Sequence, residues 1–170
     1  GASRLPFAVL RGYVGTDFAA VNPEIRSVTC PFTGEELAAV PAINPDITFI
    51  HALKADRAGN VLIEGITGVQ KEAVLAAGKA VVTVEETVDS LDPHPNALVL
   101  PHWVVTAIAE VPGGAHPSYA HGYYPRDNAT YRAWDAISAD RARFLDWMKT
   151  HVIDEDARVF ATRVAKLTDG

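Results

Sequence analysis

Ala80-Val81-Val82-Thr83-Val84 is the clearest strand pattern in the sequence, and two carboxylates, Glu85 and Glu86, follow it directly. The run is apolar and rich in β-branched residues, which predicts a strand buried on both sides, as in a parallel sheet. We expect the chain to leave the sheet at the two glutamates. Residues Ile47–Leu53 show the same composition and predict a second strand of this kind.

A helix is predicted between these two strands. Val69, Ala73, Val74 and Ala77 recur at helical spacing within Thr67–Gly78, and Gly78 is well placed to end the helix. Shorter strands are expected at Val61–Glu64, after a turn, and at residues 97–100. Strand, helix and strand at this spacing predict a βαβ crossover, and therefore an α/β fold with a mostly parallel sheet and flanking helices.

The two ends of the chain show different patterns. Leu5–Leu10 predicts a strand, followed by a glycine-containing loop. From Asp127 onward the apolar spacing is helical, with Asp127 or Asn128 as the N-cap and a break at residues 138–140. A last helix is predicted over Asp154–Leu167, with Asp154 as its N-cap.

Composition limits the class of protein. The chain has 170 residues, 48% of them hydrophobic, and a net charge of −6. We expect a single α/β domain over residues 1–170, since one domain of roughly 150 residues is the usual outcome at this length. The acidic balance argues against nucleic-acid binding. The longest apolar region, residues 97–111, is interrupted by polar residues and predicts no membrane span. One cysteine, Cys30, cannot form an internal disulfide, which favours the cytoplasm over export.

Residues 110–124, Glu110-Val111-Pro112-Gly113-Gly114-Ala115-His116-Pro117-Ser118-Tyr119-Ala120-His121-Gly122-Tyr123-Tyr124, form the most unusual segment. A long irregular segment rich in His and Tyr is typical of a surface that binds a ligand or a protein partner. The alternative is that the tyrosines only cover the edge of the sheet. Two histidines five residues apart, with a proline between them, match no metal motif, so we predict no metal site. No nucleotide-binding motif is present.

Two further positions could carry chemistry. In open α/β sheets ligands bind beyond the carboxyl ends of the strands, so Glu85 or Glu86 could act as acid, base or nucleophile. The alternative is that one glutamate caps the next segment and the other faces solvent. Gln70 and Lys71 begin the predicted helix and could meet an acyl or phosphate group, although an exposed first turn is usually just solvated.

Several motifs occur together in one order along the chain. They are Asn44-Pro45-Asp46 with His51-Ala52, Asp56 with Gly59-Asn60, Gly68-Val69-Gln70-Lys71-Glu72, Thr83-Val84-Glu85-Glu86, and Glu110-Val111-Pro112-Gly113-Gly114-Ala115-His116-Pro117. In this combination the sequence resembles the later part of the A subunit of family I CoA-transferases, and the glutaconate CoA-transferase branch in particular.

The resemblance implies a mixed α/β protein that pairs with a homologous B subunit to move coenzyme A between an acyl thioester and a carboxylic acid. It implies no tightly bound cofactor, with the CoA thioester as substrate, and a hetero-oligomer. In such enzymes a glutamate attacks the thioester carbonyl to form an anhydride, which the CoA thiolate then attacks. The glycine-rich segment that begins the family's A subunit has no counterpart before Gly1, so the chain is expected to be a C-terminal portion.

The catalytic glutamate is left unassigned. In the glutaconate branch it belongs to the B subunit, and in a steroid-degrading branch it precedes the region that this sequence matches. The resemblance implies substrate or interface roles for six residues: Gln70, Glu85, Gly113, Gly114, His116 and Tyr119. Two alternatives stay open, a ring-opening hydrolase of CoA thioesters from the same family and a non-catalytic interaction module.

Overall fold

The computed structural model describes residues 1–165 and divides the chain into two compact units. The first unit consists of Gly1–Thr48 and Val69–Lys79, and the second of Phe49–Gly68 and the chain from Ala80 onward. That residues 1–170 form a single domain stays a prediction.

The first unit contains a three-stranded antiparallel sheet of β1 (Phe7–Leu10), β2 (Arg26–Thr29) and β3 (Glu36–Pro41), in the order β1-β3-β2. Two helices accompany it, α1 (Phe18–Val21) and α2 (Gln70–Ala76). The prediction of a strand near Leu5–Leu10 and of a helix within Thr67–Gly78 is confirmed. The first unit buries few side chains: Ala38, Thr48 and Val74.

The second unit is built on a five-stranded sheet. Its strands are β4 (Ile47–Asp56), β5 (Val61–Ile63), β6 (Lys79–Val88), β7 (Leu98–Leu100) and β8 (Ala107–Glu110), in the order β7-β5-β4-β6-β8. The pair β6 and β8 is parallel, whereas β5 runs antiparallel to both β4 and β7. The most completely buried large side chains are Val61, Val82, Val84 and Leu100, all on these strands.

The predicted α/β class is confirmed, and all five predicted strands are present. The expectation that the chain leaves the sheet at Glu85 is wrong, because β6 continues to Val88. Pairing with β8 does end at Val84, which is opposite Glu110. Beyond that point the backbone N–H of Thr87 donates to the Glu110 carboxylate at 2.9 Å, so a side chain at the end of β8 still bonds to β6.

Helices follow the last strand. They are α3 (Asn128–Ser138), α4 (Arg141–Met148), a π-helical turn (Lys149–Ile153) and α5 (Ala157–Ala165). Asp127 caps α3 as predicted, since its carboxylate accepts hydrogen bonds from the N–H groups of Ala129 and Thr130. The predicted break is confirmed between α3 and α4.

The last helix begins later than predicted. Asp154 is not its N-cap, because Asp154 ends the π-helical turn. Asp156 provides the acceptor instead, and its Oδ1 receives the N–H of Arg158 at 2.7 Å. Leu167, the predicted end, lies outside the described residues. No helix within residues 1–165 has the length and apolar content needed to cross a membrane.

Candidate functional site

Glu85 lies on β6 with its carboxylate almost completely buried, only 2% of the side chain being exposed. Its Oε1 lies 2.6 Å from Nε2 of His51 and accepts a 2.6 Å hydrogen bond from the Tyr124 hydroxyl. The other oxygen, Oε2, accepts the backbone N–H of Gly113 at 2.6 Å. A buried carboxylate is costly unless it is hydrogen-bonded, and here both oxygens are.

His51 lies on β4, and both of its ring nitrogens are engaged. Nδ1 lies 2.8 Å from the hydroxyl of Thr83, while Nε2 faces Glu85. The Thr83 hydroxyl also lies 3.4 Å from the carbonyl oxygen of Ile50, to which it can donate. Because an ionised carboxylate has only acceptor sites, we assign a proton to Nε2 of His51.

Tyr124 is the third group on this carboxylate. Burial, and then the hydrogen bond to Glu85, raise the pKa of Tyr124 above the ordinary tyrosine value. The hydroxyl therefore stays protonated and donates to Glu85 at neutral pH. Its oxygen also accepts the N–H of Ala115 at 3.0 Å, so one phenol joins Glu85 to the segment that carries the two glycines.

The backbone N–H groups of residues 113–116 all point to partners within the protein. Gly113 donates to Glu85 and Ala115 to Tyr124, as described above; Gly114 donates to the carbonyl of Val111 at 3.0 Å, and His116 to that of Gly113 at 2.9 Å. In this conformation these groups are already used as donors, so the turn has no spare N–H with which to bind an oxyanion.

A side chain at either glycine would collide with a different neighbour. Gly113 has a φ of +83°, and a Cβ there would lie 2.7 Å from Cγ1 of Val164. Gly114 faces His51, and a Cβ there would lie 2.7 Å from Cε1 and from Nδ1 of the imidazole. Any larger residue at either position would displace its neighbours.

His116 is buried and contacts the start of α3. Its Nε2 lies 3.1 Å from Oδ2 of Asp127, and only 5% of its side chain is exposed. Hydrogen bonds from Thr130, with a smaller contribution from His116, hold the pKa of Asp127 well below the usual aspartate range. The imidazole also meets Phe160 edge-on, with ring centroids 6.4 Å apart.

Tyr119 and Gln70 make no hydrogen bond to this carboxylate among the described residues. The Tyr119 hydroxyl accepts the N–H of Ile66 at 3.2 Å. Gln70 begins α2 in the first unit, whereas the other five predicted site residues lie in the second. Its Oε1 is buried, and no hydrogen-bond donor reaches it within residues 1–165.

Glu86 points away from this network and is half exposed. Its Oε2 accepts the Tyr123 hydroxyl at 2.9 Å and lies 3.3 Å from Nζ of Lys54. The hydrogen bond from Tyr123, and then the interaction with Lys54, lower the pKa of Glu86. The two neighbouring glutamates therefore have opposite surroundings, as the alternation of side chains along a strand requires.

A cavity of about 510 Å³ lies beside His116 in the second unit. It is lined by Gly114, His116, Pro117, Asp127, Thr130, Trp147, His151, Val152 and Phe160. Its walls combine aromatic faces with imidazole and hydroxyl groups, and its volume falls in the range of small-molecule sites. Among residues 1–165 there is no group of three or more His, Cys, Asp or Glu placed to hold a metal ion.

A family model described as Coenzyme A transferase matches residues 1–111. The chain belongs to the coenzyme A transferase family. Over all 170 residues it is 56% identical to the A subunit of the 3-oxoadipate CoA-transferase of Pseudomonas knackmussii, and it covers 60% of that protein. Over 169 residues it is 30% identical to the cholesterol ring-cleaving hydrolase IpdA subunit of Mycobacterium tuberculosis, with 92% of this chain and 57% of that one covered.

A solved structure shows the same fold. The crystal structure of glutaconate coenzyme A-transferase from Acidaminococcus fermentans superposes with a TM-score of 0.87 at 26% identity, covering 99% of this chain and 59% of that one. The predicted resemblance to CoA-transferases and to the glutaconate branch is confirmed. The chain spans about three fifths of the length of the curated 3-oxoadipate CoA-transferase and IpdA relatives.

Two members of the carboxylate network, His51 and Tyr124, were not predicted from the sequence. His51 stands in an apolar strand, and a polar residue at such a position was the available signal. Tyr124 ends the aromatic segment and gave no signal that it differs from Tyr119 or Tyr123. The predicted substrate roles of Glu85, Gly113, Gly114, His116, Tyr119 and Gln70 stay predictions.

Proposed function

We propose that the chain is part of the A subunit of an acyl-CoA:carboxylate CoA-transferase that acts in the cytoplasm with a B-type subunit. The observation that carries this proposal is the 56% identity, along the whole chain, to the A subunit of a 3-oxoadipate CoA-transferase. On this basis 3-oxoadipate, a short dicarboxylate, is the first acid to test as acceptor.

The proposed reaction is a double displacement. A glutamate carboxylate from outside this chain attacks the thioester carbonyl and expels CoA as its thiolate, leaving an acyl-glutamyl anhydride. The thiolate attacks the glutamyl carbonyl of the anhydride, releases the first acid and forms a glutamyl-CoA thioester. The second acid attacks this thioester and again expels the thiolate. Attack of the thiolate on the new acyl carbonyl then yields the new acyl-CoA and restores the glutamate.

The contribution of this chain would be one wall of the acyl-CoA pocket, formed with the B subunit. We assign roles in substrate binding or positioning to six residues, Gln70 in the first unit and Glu85, Gly113, Gly114, His116 and Tyr119 in the second. Gln70 offers a buried acceptor that lacks a donor in the described chain, and such an atom is costly unless a ligand or another chain supplies one. The cavity beside His116 offers room for an acyl group.

We further propose that the chain is the C-terminal part of a longer A subunit. It covers 60% of its 3-oxoadipate relative. Apolar side chains of the first unit are also left open to solvent, among them Phe7 at 44% and Val9 at 50% exposure. Additional chain that covers these side chains would supply the burial that a unit of this size lacks.

The test is reconstitution. The full-length A subunit is coexpressed with its B subunit, and CoA transfer is followed from a panel of short acyl-CoA thioesters to 3-oxoadipate. New acyl-CoA that appears only when both subunits and the acid are present supports the proposal. Full turnover by residues 1–170 alone would refute the shared pocket.

The second candidate is a hydrolase that opens a ring in a CoA thioester, which the 30% identity to the ring-cleaving IpdA subunit favours. A hydrolase consumes water where a transferase consumes a second acid. Loss of a cyclic CoA thioester without any acceptor acid would favour this candidate. Assembly without either activity would favour a non-catalytic interaction module.

A further inference from the structure

We infer that Glu85 is a positioning residue. It closes the 113–124 segment, because its carboxylate binds Gly113 at one end and Tyr124 at the other, and it thereby fixes the side chains that the segment carries. The inference rests on the proposed function, because it assigns Glu85 a part in the proposed pocket without substrate contact.

The Glu85 carboxylate joins the two ends of residues 113–124. Oε2 of Glu85 binds the first residue of the segment, through the Gly113 N–H, and Oε1 binds the last, through the Tyr124 hydroxyl, both at 2.6 Å. Tyr124 in turn accepts the N–H of Ala115 at 3.0 Å. One carboxylate therefore holds both ends of an irregular segment, as in a compact Ω-loop whose ends lie close together.

A carboxylate suits the three groups that surround it. Three groups face the carboxylate from three parts of the chain. They are His51 from β4, Gly113 from the start of the 113–124 segment and Tyr124 from its end. Each can donate, and an ionised carboxylate is the side-chain group that accepts from all three at once. Charge-assisted hydrogen bonds in a buried site are stronger than neutral ones, which makes this closure stiff.

Residues 113–124 carry two of the side chains that are assigned to substrate binding or positioning. The segment includes His116, which forms a wall of the 510 Å³ cavity, and Tyr119, which binds the Ile66 N–H. Glu85 itself has a 2% exposed side chain with both oxygens occupied, so it is poorly placed to touch a substrate. Small displacements of groups that orient a substrate are costly for catalysis, since about 1 Å can lower the rate 100-fold.

Glu85→Gln is the variant that separates positioning from folding. The amide keeps the shape of the side chain, and its oxygen can still accept the Gly113 N–H. Its NH₂ group then faces Tyr124 and His51. His51 can accept this hydrogen bond if its proton moves to Nδ1 and is donated to Thr83, whose hydroxyl lies within reach of the Ile50 carbonyl. We expect the variant to fold, with a weaker hydrogen bond between residue 85 and the Tyr124 hydroxyl.

The experiment uses the full-length A subunit in complex with its B subunit. Glu85→Gln, Tyr124→Phe and the double variant are compared with Glu86→Gln, in which the neighbouring, half-exposed carboxylate is changed. We expect Glu85→Gln to lower kcat by about 10- to 100-fold with KM for both substrates changed by less than about 3-fold. Tyr124→Phe should lower kcat less, and the double variant should lose less than the two losses combined, because both changes break the same closure.

Hydrogen exchange measured by mass spectrometry on the same assemblies provides a readout that does not depend on activity. Glu85→Gln should speed exchange in peptides that cover residues 113–124. Glu86→Gln should speed it much less, because the amide oxygen can still accept the Tyr123 hydroxyl. If the wild-type assembly shows no CoA transfer, the proposed function fails, and the exchange result still decides whether Glu85 closes the segment. Unchanged exchange overturns the inference. So does a loss confined to KM, which would indicate substrate contact, or a lower Tm with kcat retained, which would indicate a purely structural role.

Discussion

The imidazole of His51 occupies the space in which a side chain at Gly114 would stand. A Cβ built on Gly114 would lie 2.7 Å from both Cε1 and Nδ1 of that ring. The ring cannot easily turn away, since both of its nitrogens are hydrogen-bonded, to Thr83 and to Glu85. The glycine at 114 is therefore required by the same buried network that engages Glu85.

Gly114→Ala should destabilise the protein for this reason. We expect the free energy of unfolding to fall by about 1–3 kcal/mol, the usual cost of overpacking a well-filled site. Denaturant unfolding of the variant and the wild type provides the measurement. Gly12→Ala is a matched control, because Gly12 has no atom within 4 Å of the position of a Cβ. An equal loss of unfolding free energy in the two variants would show that the His51 side chain moves aside at little cost.

Gly113→Ala tests a separate steric demand. Gly113 and Gly122 have nearly the same φ, +83° and +79°. Of these two positions, only at Gly113 would the new Cβ collide, at 2.7 Å from Val164, whereas no atom lies within 4 Å of a Cβ built on Gly122. Both alanines bear the cost of a left-handed backbone, about 1–2 kcal/mol, and Gly113→Ala should cost at least another 1 kcal/mol or so. Denaturant unfolding of both variants measures the difference. Similar losses of stability would contradict the collision with Val164.

The hydrogen bonds around Asp127 predict a pH dependence of stability. Because the pKa of Asp127 is lowered in the folded protein, its carboxylate contributes stability that is complete above the unfolded pKa, about 4, and is lost as the pH falls through the lower folded value. Asp127→Ala also removes the N-cap of α3, at a cost of about 1–2 kcal/mol.

The measurement is the Tm of wild type and Asp127→Ala from pH 7 down to pH 2. The gap between the two should be widest near neutral pH and should narrow below about pH 4. Asp135→Ala changes an exposed aspartate on the same helix and controls for the loss of a surface charge. A gap that stays constant over this range would exclude a contribution from the ionised carboxylate.

Much of the second unit follows from sequence pattern, and much of the first does not. The strand Ala80–Val84 and the cap Asp127 are encoded locally, by a run of β-branched residues and by an acceptor just before a helical pattern. By contrast, β3 and β8 are short and rich in alanine, which gives weak strand signals. Their existence depends on neighbours to which they pair.

Glu85 could be chosen as a candidate from sequence, but its surroundings could not. His51 and Tyr124 lie 34 and 39 residues away along the chain, and only the register of the strands and the path of the 113–124 segment bring them to one carboxylate. A pattern that shows two adjacent glutamates cannot tell which one faces inward unless the register is known. The structure makes this distinction, with Glu85 buried and Glu86 half exposed.

Gln70→Met tests the proposed binding role of the unpartnered acceptor at the start of α2. If a substrate group donates to Oε1 of Gln70, an apolar side chain of similar length should raise KM for one substrate by about 5- to 50-fold, the equivalent of a lost hydrogen bond. Steady-state kinetics of the assembled full-length enzyme provide the measurement. Lys71→Met, at the exposed neighbouring position, is the control. A more stable protein with unchanged KM would show that Gln70 meets no substrate.

His116 and Tyr119 distinguish a pocket from an interface between subunits. Tyr119→Phe removes the acceptor of the Ile66 N–H and little else, and His116→Asn keeps a donor near Asp127 while it removes the ring that faces the cavity. If these side chains line the acyl pocket, both variants should assemble normally with the B subunit but lose about 10-fold or more in kcat/KM. If they form the interface, kcat/KM of assembled complexes should be retained while the Kd between subunits rises, since hot-spot losses at interfaces appear in the affinity.

Sedimentation or mass photometry at several concentrations, run beside the kinetics on the same samples, separates the two results. Normal assembly together with normal turnover in both variants would remove these residues from either role and leave them as packing of the segment within the second unit.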